Sequence, residues 1–182
     1  WMKLGKVCEI SNGKQLSRSN FIEGIYPVIG GGQSPAGYHN QFNRDENTIL
    51  CSQSGNYAGF ISKYKEKVWA SDCFSIHSKS SDLNESYLYY LLKNIQNNIY
   101  KFQSGSAQPH VYAKNILDLP LPTPPLPTQN TTVQILDDLS QQKQLLIDRK
   151  DGIERQMKYY FESQIKKNRD VIELNKLGDL CS

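Results

Sequence analysis

The chain has 182 residues, 38% of them hydrophobic and 21% charged, with a formal net charge of +3. That length supports one ordinary domain, or one domain with an appendage, and the absence of any apolar run of about 18 residues excludes a helical membrane span. Four widely spaced cysteines (Cys8, Cys51, Cys73, Cys181) with no C-x-x-C pair exclude a disulfide framework and a cysteine zinc site, and fit a reduced, cytoplasmic setting.

The first residues, Trp1-Met2-Lys3-Leu4-Gly5-Lys6, carry no apolar segment of the secretory kind. Residues 30–41 read Gly-Gly-Gly-Gln-Ser-Pro-Ala-Gly-Tyr-His-Asn-Gln, a flexible polar loop. The short runs 48–51, 59–64, 68–70 and 73–76 predict strands separated by turns, with Lys65-Glu66-Lys67 as a hairpin loop. Leu88, Leu91, Leu92, Ile95 and Ile99 fall at helical spacing and predict one core-packed helix, which Asp82 and Glu85 begin in the manner of a capping box. The proline-rich stretch 119–127 is stiff and extended, after which Thr128 is placed to cap a helix starting at Gln129.

From there to about residue 169 there is no proline and a single glycine, Gly152. Leu139, Leu146, Ile153 and Tyr160 recur every seven residues, and Leu136 and Met157 share their face. Ile165 and Ile172 continue it after a phase shift, with polar residues between, as a coiled coil requires. Such a helix reaches roughly 60 Å, more than a domain of this size covers. It is expected to need a partner helix, from a second repeat or a second copy. The alternative is a helix folded back on its own domain and broken at Gly152. Lys176-Leu177-Gly178-Asp179-Leu180-Cys181 repeats Lys3-Leu4-Gly5-Lys6-Val7-Cys8 at an offset of 173, as the start of a second repeat or a C-terminal tail would. The expected organisation is α+β: a globular mixed α/β domain over 1–127, a long coiled-coil-forming helix over 128–174, and a short segment over 175–182.

The chemistry legible in these residues is recognition. Gly30-Gly31-Gly32 is not a phosphate-binding P-loop, and Thr123-Pro124-Pro125-Leu126 lacks the Asn or Asp first residue and the aromatic last residue of an adenine-methyltransferase tetrad. His39, His77 and His110 stand more than thirty residues apart, so neither a metal nor a cofactor is expected. Amide side chains can bond two adenine positions at once, and small residues let a backbone approach phosphates closely. The residues singled out on that basis are Gly31, Gln33, Tyr38, His39 and Asn40 in the first loop, Ser52, Ser54 and Tyr57 in the second, and His110 and Tyr112 in a third. Lys14, Arg18, Arg44, Lys63, Lys65 and Lys67 are the phosphate-contact candidates. Residues 1–127 hold twelve Lys and Arg against nine Asp and Glu, whereas residues 128–182 hold nine of each. The positive excess therefore lies where these candidates do. Leu139, Leu146, Ile153, Met157 and Tyr160 are the dimerisation candidates.

The ordered motifs resemble one family. Trp1-x-Lys-Leu-Gly-x-Val-Cys-Glu-Ile-x-x-Gly13, Tyr26-Pro-Val-Ile-Gly30, Gly37-Tyr-His-Asn40 and Ser54-Gly-Asn-Tyr-Ala-Gly-Phe-Ile61 are similar to target-recognition domains of type I restriction–modification DNA-specificity subunits. So are Trp69-Ala-Ser-Asp-Cys-Phe74, Tyr87-Leu-Tyr-Tyr-Leu-Leu92, Gly105-Ser-Ala-Gln-Pro-His110 and the proline-rich approach to Gln129. The polar Asn130-Thr-Thr departs from that pattern at the first helical turn. The resemblance implies a non-catalytic module reading one half of a split double-stranded DNA target. Its helices would pair antiparallel and dock methyltransferase subunits and, through them, restriction subunits. Two other readings stay open: a coiled-coil assembly module without nucleic acid, and the recognition domain of a single-chain restriction enzyme.

Overall fold

Buried strands at the centre of the sequence set the layers of the fold. The computed structural model describes residues 1–179, with side chains through residue 168. In chain order the elements are β1 (Met2–Lys3), α1 (Leu4–Val7), β2 (Cys8–Asn12), a 3₁₀ turn (Arg18–Asn20), β3 (Tyr26–Ile29) and β4 (Gly37–His39). Then come β5 (Ile49–Ser52), β6 (Ile61–Lys63), β7 (Trp69–Ala70), β8 (Cys73–Ser78), α2 (Glu85–Asn94), α3 (Gln96–Tyr100), α4 (Ala113–Ile116), β9 (Pro120–Leu121) and α5 (Leu126–Asp179). The chain divides into two compact units, Trp1–Gln134 and the remainder from Ile135 onward. The fold is α+β with a long C-terminal helix.

An antiparallel sheet of order β2-β8-β5-β6 lies at the centre of the first unit. Its register pairs Ile49 with Ile76 and Cys51 with Phe74, and pairs Leu50 with Ser75 and Ser52 with Cys73. Alternation sends the first set to one face and the second to the other. On the first face Ile49, Cys51, Ile61, Phe74 and Ile76 pack with Leu88, Leu92 and Ile99 of α2 and α3. On the other, Leu50 and Cys73 pack with Val68 and with Ile29 and Ala70 of a smaller sheet, β4-β3-β7. Both faces are covered, which is why β5 is buried along its whole length. A third pairing, β1 with β9, joins Met2 to Leu121 and Lys3 to Pro120.

Several expectations change. Lys65-Glu66-Lys67 is not a hairpin loop, because β6 pairs with β5 whereas β7 pairs parallel with β3; the loop passes from one sheet to the other. The predicted single helix divides at Ile95, and its cap is Asn84, whose side chain accepts hydrogen bonds from the Ser86 and Tyr87 amides. Glu85 instead accepts from the Ser78 amide. Arg44 is not a free cation: its guanidinium donates to Ser75 Oγ at 2.9 Å and to the carbonyls of Asn43, Ser11 and Asn12, stapling the edge of the central sheet.

Helix α5 begins at Leu126, three residues before the expected start, so Thr128 is inside it and does not cap it. Pro127 is tolerated in the first turn because its missing N–H would have no helical acceptor there. Gln129 is buried: its Oε1 accepts from the Asn84 amide, and its Nε2 donates to the carbonyls of Asp82 and Pro124. The helix passes through Gly152 without interruption and includes residues 175–179, while Leu180, Cys181 and Ser182 lie outside the described residues. At 54 residues it is roughly 80 Å long. Leu139, Leu146, Ile153, Met157 and Tyr160 are all exposed on it. Among the described residues no helix is long and apolar enough to cross a membrane.

Candidate nucleic-acid interface

Three loops are knitted together at the Ser52 end of β5. After β3 the chain turns through residues 30–36, and the Ala36 amide returns to the Val28 carbonyl. Gly31 lies against the backbone of Ser54 so closely that a Cβ would come within 2.3 Å of the Ser54 carbonyl oxygen. Any side chain there would push the loops apart. Ser52 Oγ donates to the Gly30 carbonyl at 3.1 Å, and Ser54 Oγ donates to the Asp72 carboxylate. Gly55, at φ +82°, takes the left-handed conformation that glycine reaches without strain and donates to the Pro109 carbonyl. The Val111 amide donates to Gln53 O, and Ser104 and His110 exchange backbone hydrogen bonds.

The candidates therefore divide by role. Ser52 and Ser54 are buried and fasten loops, while Gly31 supplies close approach. Gln33 and Tyr57 are exposed on the fastened loops. The His110 and Tyr112 rings lie nearly parallel, 5.8 Å apart, and Tyr112 is exposed. Lys14 is exposed at its side chain, with its carbonyl held by the Trp69 indole N–H. These residues share one end of the sheets.

The second group lies along β4, which the sequence reads as loop. Tyr38 and Asn40 are exposed, but His39 is buried. Its Nδ1 accepts the Ile22 amide at 3.0 Å, and its ring meets Trp69 edge-on at 5.2 Å. His39 holds the scaffold and is not presented to a ligand, a correction to its place among the contact residues. Arg18 is exposed on the 3₁₀ turn.

Lys63 and Lys65 lie apart from the loop cluster. Register pairs Cys51 with Ile61 and Ile49 with Lys63, so Lys63 is at the far end of the β5–β6 pair from Ser52. Its ammonium donates to Ser86 Oγ and stands 5.0 Å from the Tyr89 ring centroid. Lys65 is exposed, whereas Lys67 pairs with Asp45 at 3.5 Å and stands over the Phe42 ring.

Gln53 and Asp72 belong to the same cluster; Gln53 lies within the second predicted loop, whereas Asp72 was not anticipated. Gln53 is half-buried between the two fastening serines, and its Ser-x-Ser setting is a signal legible in the sequence. Asp72 carries none, because its partner Ser54 is distant in the chain. The three described thiols are buried: burial is the chief cause that raises Cys8 and Cys73 from the ordinary 9.0 to about 12, and it pushes Cys51 up as well. Among the described residues no three His, Cys, Asp or Glu side chains are grouped as a metal ion would need. The surface offers amides, hydroxyls, aromatic faces and scattered cations on a rigid frame.

Comparison with known proteins gives a consistent picture. The sequence profile described as Type I restriction modification DNA specificity domain matches residues 1–155. The type I restriction enzyme MjaVIII specificity subunit of Methanocaldococcus jannaschii is 26% identical over 187 aligned positions, covering 88% of this chain and 44% of the relative. The fold resembles the crystal structure of the type I restriction–modification S subunit from M. genitalium, with a TM-score of 0.71 at 19% identity, over 77% of this chain and 38% of that one. It also resembles the HsdS subunit from Thermoanaerobacter tengcongensis, with a TM-score of 0.58 at 22% identity, over 78% of this chain and 37% of that one. The chain spans less than half the length of each.

Proposed function

The chain belongs to the type I restriction–modification DNA specificity family, and from that premise we propose that it reads one half of a bipartite double-stranded DNA target without catalysing a reaction. Residues 1–127 are the recognition domain, and 128–174 are the spacer that pairs with a second copy or a second repeat. The rod docks methyltransferase subunits and, through them, restriction subunits. Residues 175–182 are the start of a further repeat or a tail.

The observation that carries this reading is the loop cluster at the Ser52 end of β5. Buried hydroxyls and close-packed glycines fix loops whose exposed side chains are hydrogen-bonding and aromatic. A groove reader needs that combination, because base discrimination depends on donors and acceptors held in place against base edges. Gln33 and Asn40 take base edges, Lys14, Arg18 and Lys65 take phosphates, and Tyr38, Tyr57 and Tyr112 line the groove contact.

The test uses the complex assembled with its methyltransferase subunits. Exchanging residues 1–127 for the corresponding domain of another specificity subunit should change one half of the methylated motif, read by genome-wide methylation mapping. An unchanged motif would show that these residues do not read sequence. Gln33→Ala and Asn40→Ala should each relax preference at particular bases, costing about 1–3 kcal/mol at the matched base. Lys65→Ala should weaken binding similarly on all duplexes and reduce its salt dependence.

A further inference from the structure

The segment between the 3₁₀ turn and β3, residues 21–25, holds two isoleucines in water on a pinned backbone. Ile22 is 56% exposed and Ile25 77%. The segment is anchored to β4 at three points. The Phe21 ring covers Gly37, where a Cβ would lie 2.6 Å from a ring carbon. The Ile22 amide donates to the buried His39. Gly24 touches the backbone of His39 and Asn40, with room for no side chain at all. A loop so fixed cannot turn its isoleucines inward, so their exposure is built into the fold.

Resting on the DNA-reading proposal, we infer that Ile22 and Ile25 are base-reading residues that contact thymine C5-methyl groups in the major groove of the target. Their surroundings match a groove floor. Arg18 precedes them on the 3₁₀ turn, and the exposed amides of Asn20, Asn40 and Gln41 supply bonding partners for adjacent base edges. Glu23, exposed between the isoleucines, repels phosphates and suits only an amino donor such as cytosine N4. An apolar contact flanked by amide donors and acceptors fits the thymine methyl beside the adenine and guanine edges of its neighbours.

The test again uses the assembled complex, with a duplex carrying the half-site found by methylation mapping. Each thymine is replaced in turn by deoxyuridine, which removes only the C5-methyl. At particular positions this should weaken binding about fourfold, the factor expected for one buried methyl. Ile22→Ala or Ile25→Ala should be weakened by a similar factor on the thymine duplex and should lose no more on the uracil duplex, with unchanged thermal melts because both side chains are exposed. Ile25→Leu, which keeps an apolar tip, should retain the sensitivity. Equal binding of every uracil-substituted duplex, or undiminished methyl sensitivity in the alanine variants, would overturn the inference while leaving DNA reading intact. Failure to prefer the half-site over random duplex would instead overturn DNA reading itself, and this inference with it.

Discussion

Replacing His39 with alanine tests its scaffold role. The substitution strands the Ile22 amide and leaves a hole beside Trp69, and unfolding in urea should show a loss of about 2–4 kcal/mol. A variant with unchanged stability would contradict that role. The buried thiols give a second measurement at this scale. Their folded pKa values lie above the unfolded value near 9.0, so the folded state holds these protons more tightly. The contribution is fully present below about pH 8 and is lost as pH rises past 9 toward 12. Unfolding free energy measured from pH 7 to 10.5 should fall, and the slope should lessen in Cys8→Ala. In a Cys181→Ser background, a thiol reagent at pH 8 should label nothing until denaturant is added. Labelling of the native protein would contradict the burial of Cys8, Cys51 and Cys73.

Individual elements show what sequence reading can and cannot reach. The strands β5 to β8 were legible because apolar runs broken by turn residues leave few other local structures. Their partners were not. Adjacent runs imply a hairpin, yet β7 joins β3 in parallel, and nothing local to Lys65-Glu66-Lys67 carries that register. The glycine-rich run through Gly37 hid a strand, because burial of His39 depends on Trp69 thirty residues away. At the candidate interface the residue types were legible but not their directions: Ser52 and Ser54 face inward to fasten loops that Gln33 and Tyr57 decorate. The junction of α2 and α5 offers a quantitative check. Asn84→Ala removes a cap and should cost about 1 kcal/mol. Gln129→Met keeps the bulk but strands one amide and two carbonyls, and it should cost more, about 2–4 kcal/mol by chemical denaturation. Equal costs would mean that water reaches the Gln129 amide.

For the molecule as a whole, the stripe on α5 makes the clearest demand. Leu146 is 67% exposed and Tyr160 60%, with Leu139, Ile153 and Met157 on the same side of the helix. Soluble chains do not leave such a surface uncovered. Analytical ultracentrifugation at tens of micromolar should find self-association, and Leu146→Asp combined with Ile153→Asp should abolish it. A monomeric unsubstituted chain would assign the stripe to a second repeat. The seam between β1 and β9 carries a different consequence. It joins Met2 to Leu121, is continued by the Leu4 amide on Leu119 O and the Gly5 amide on Leu117 O, and is flanked by Lys3 and Asp118 at 2.8 Å. Everything between is a closed excursion whose two ends meet at one place. A cassette of another length or loop structure can be inserted there provided it restores the two short strands, because closure depends on the seam and not on the path between. Chimaeras joined within β1 and β9 should fold, and those joined inside the central sheet should not. On the proposed reading, new specificities can be acquired by wholesale replacement, with the sequence of α5 left untouched.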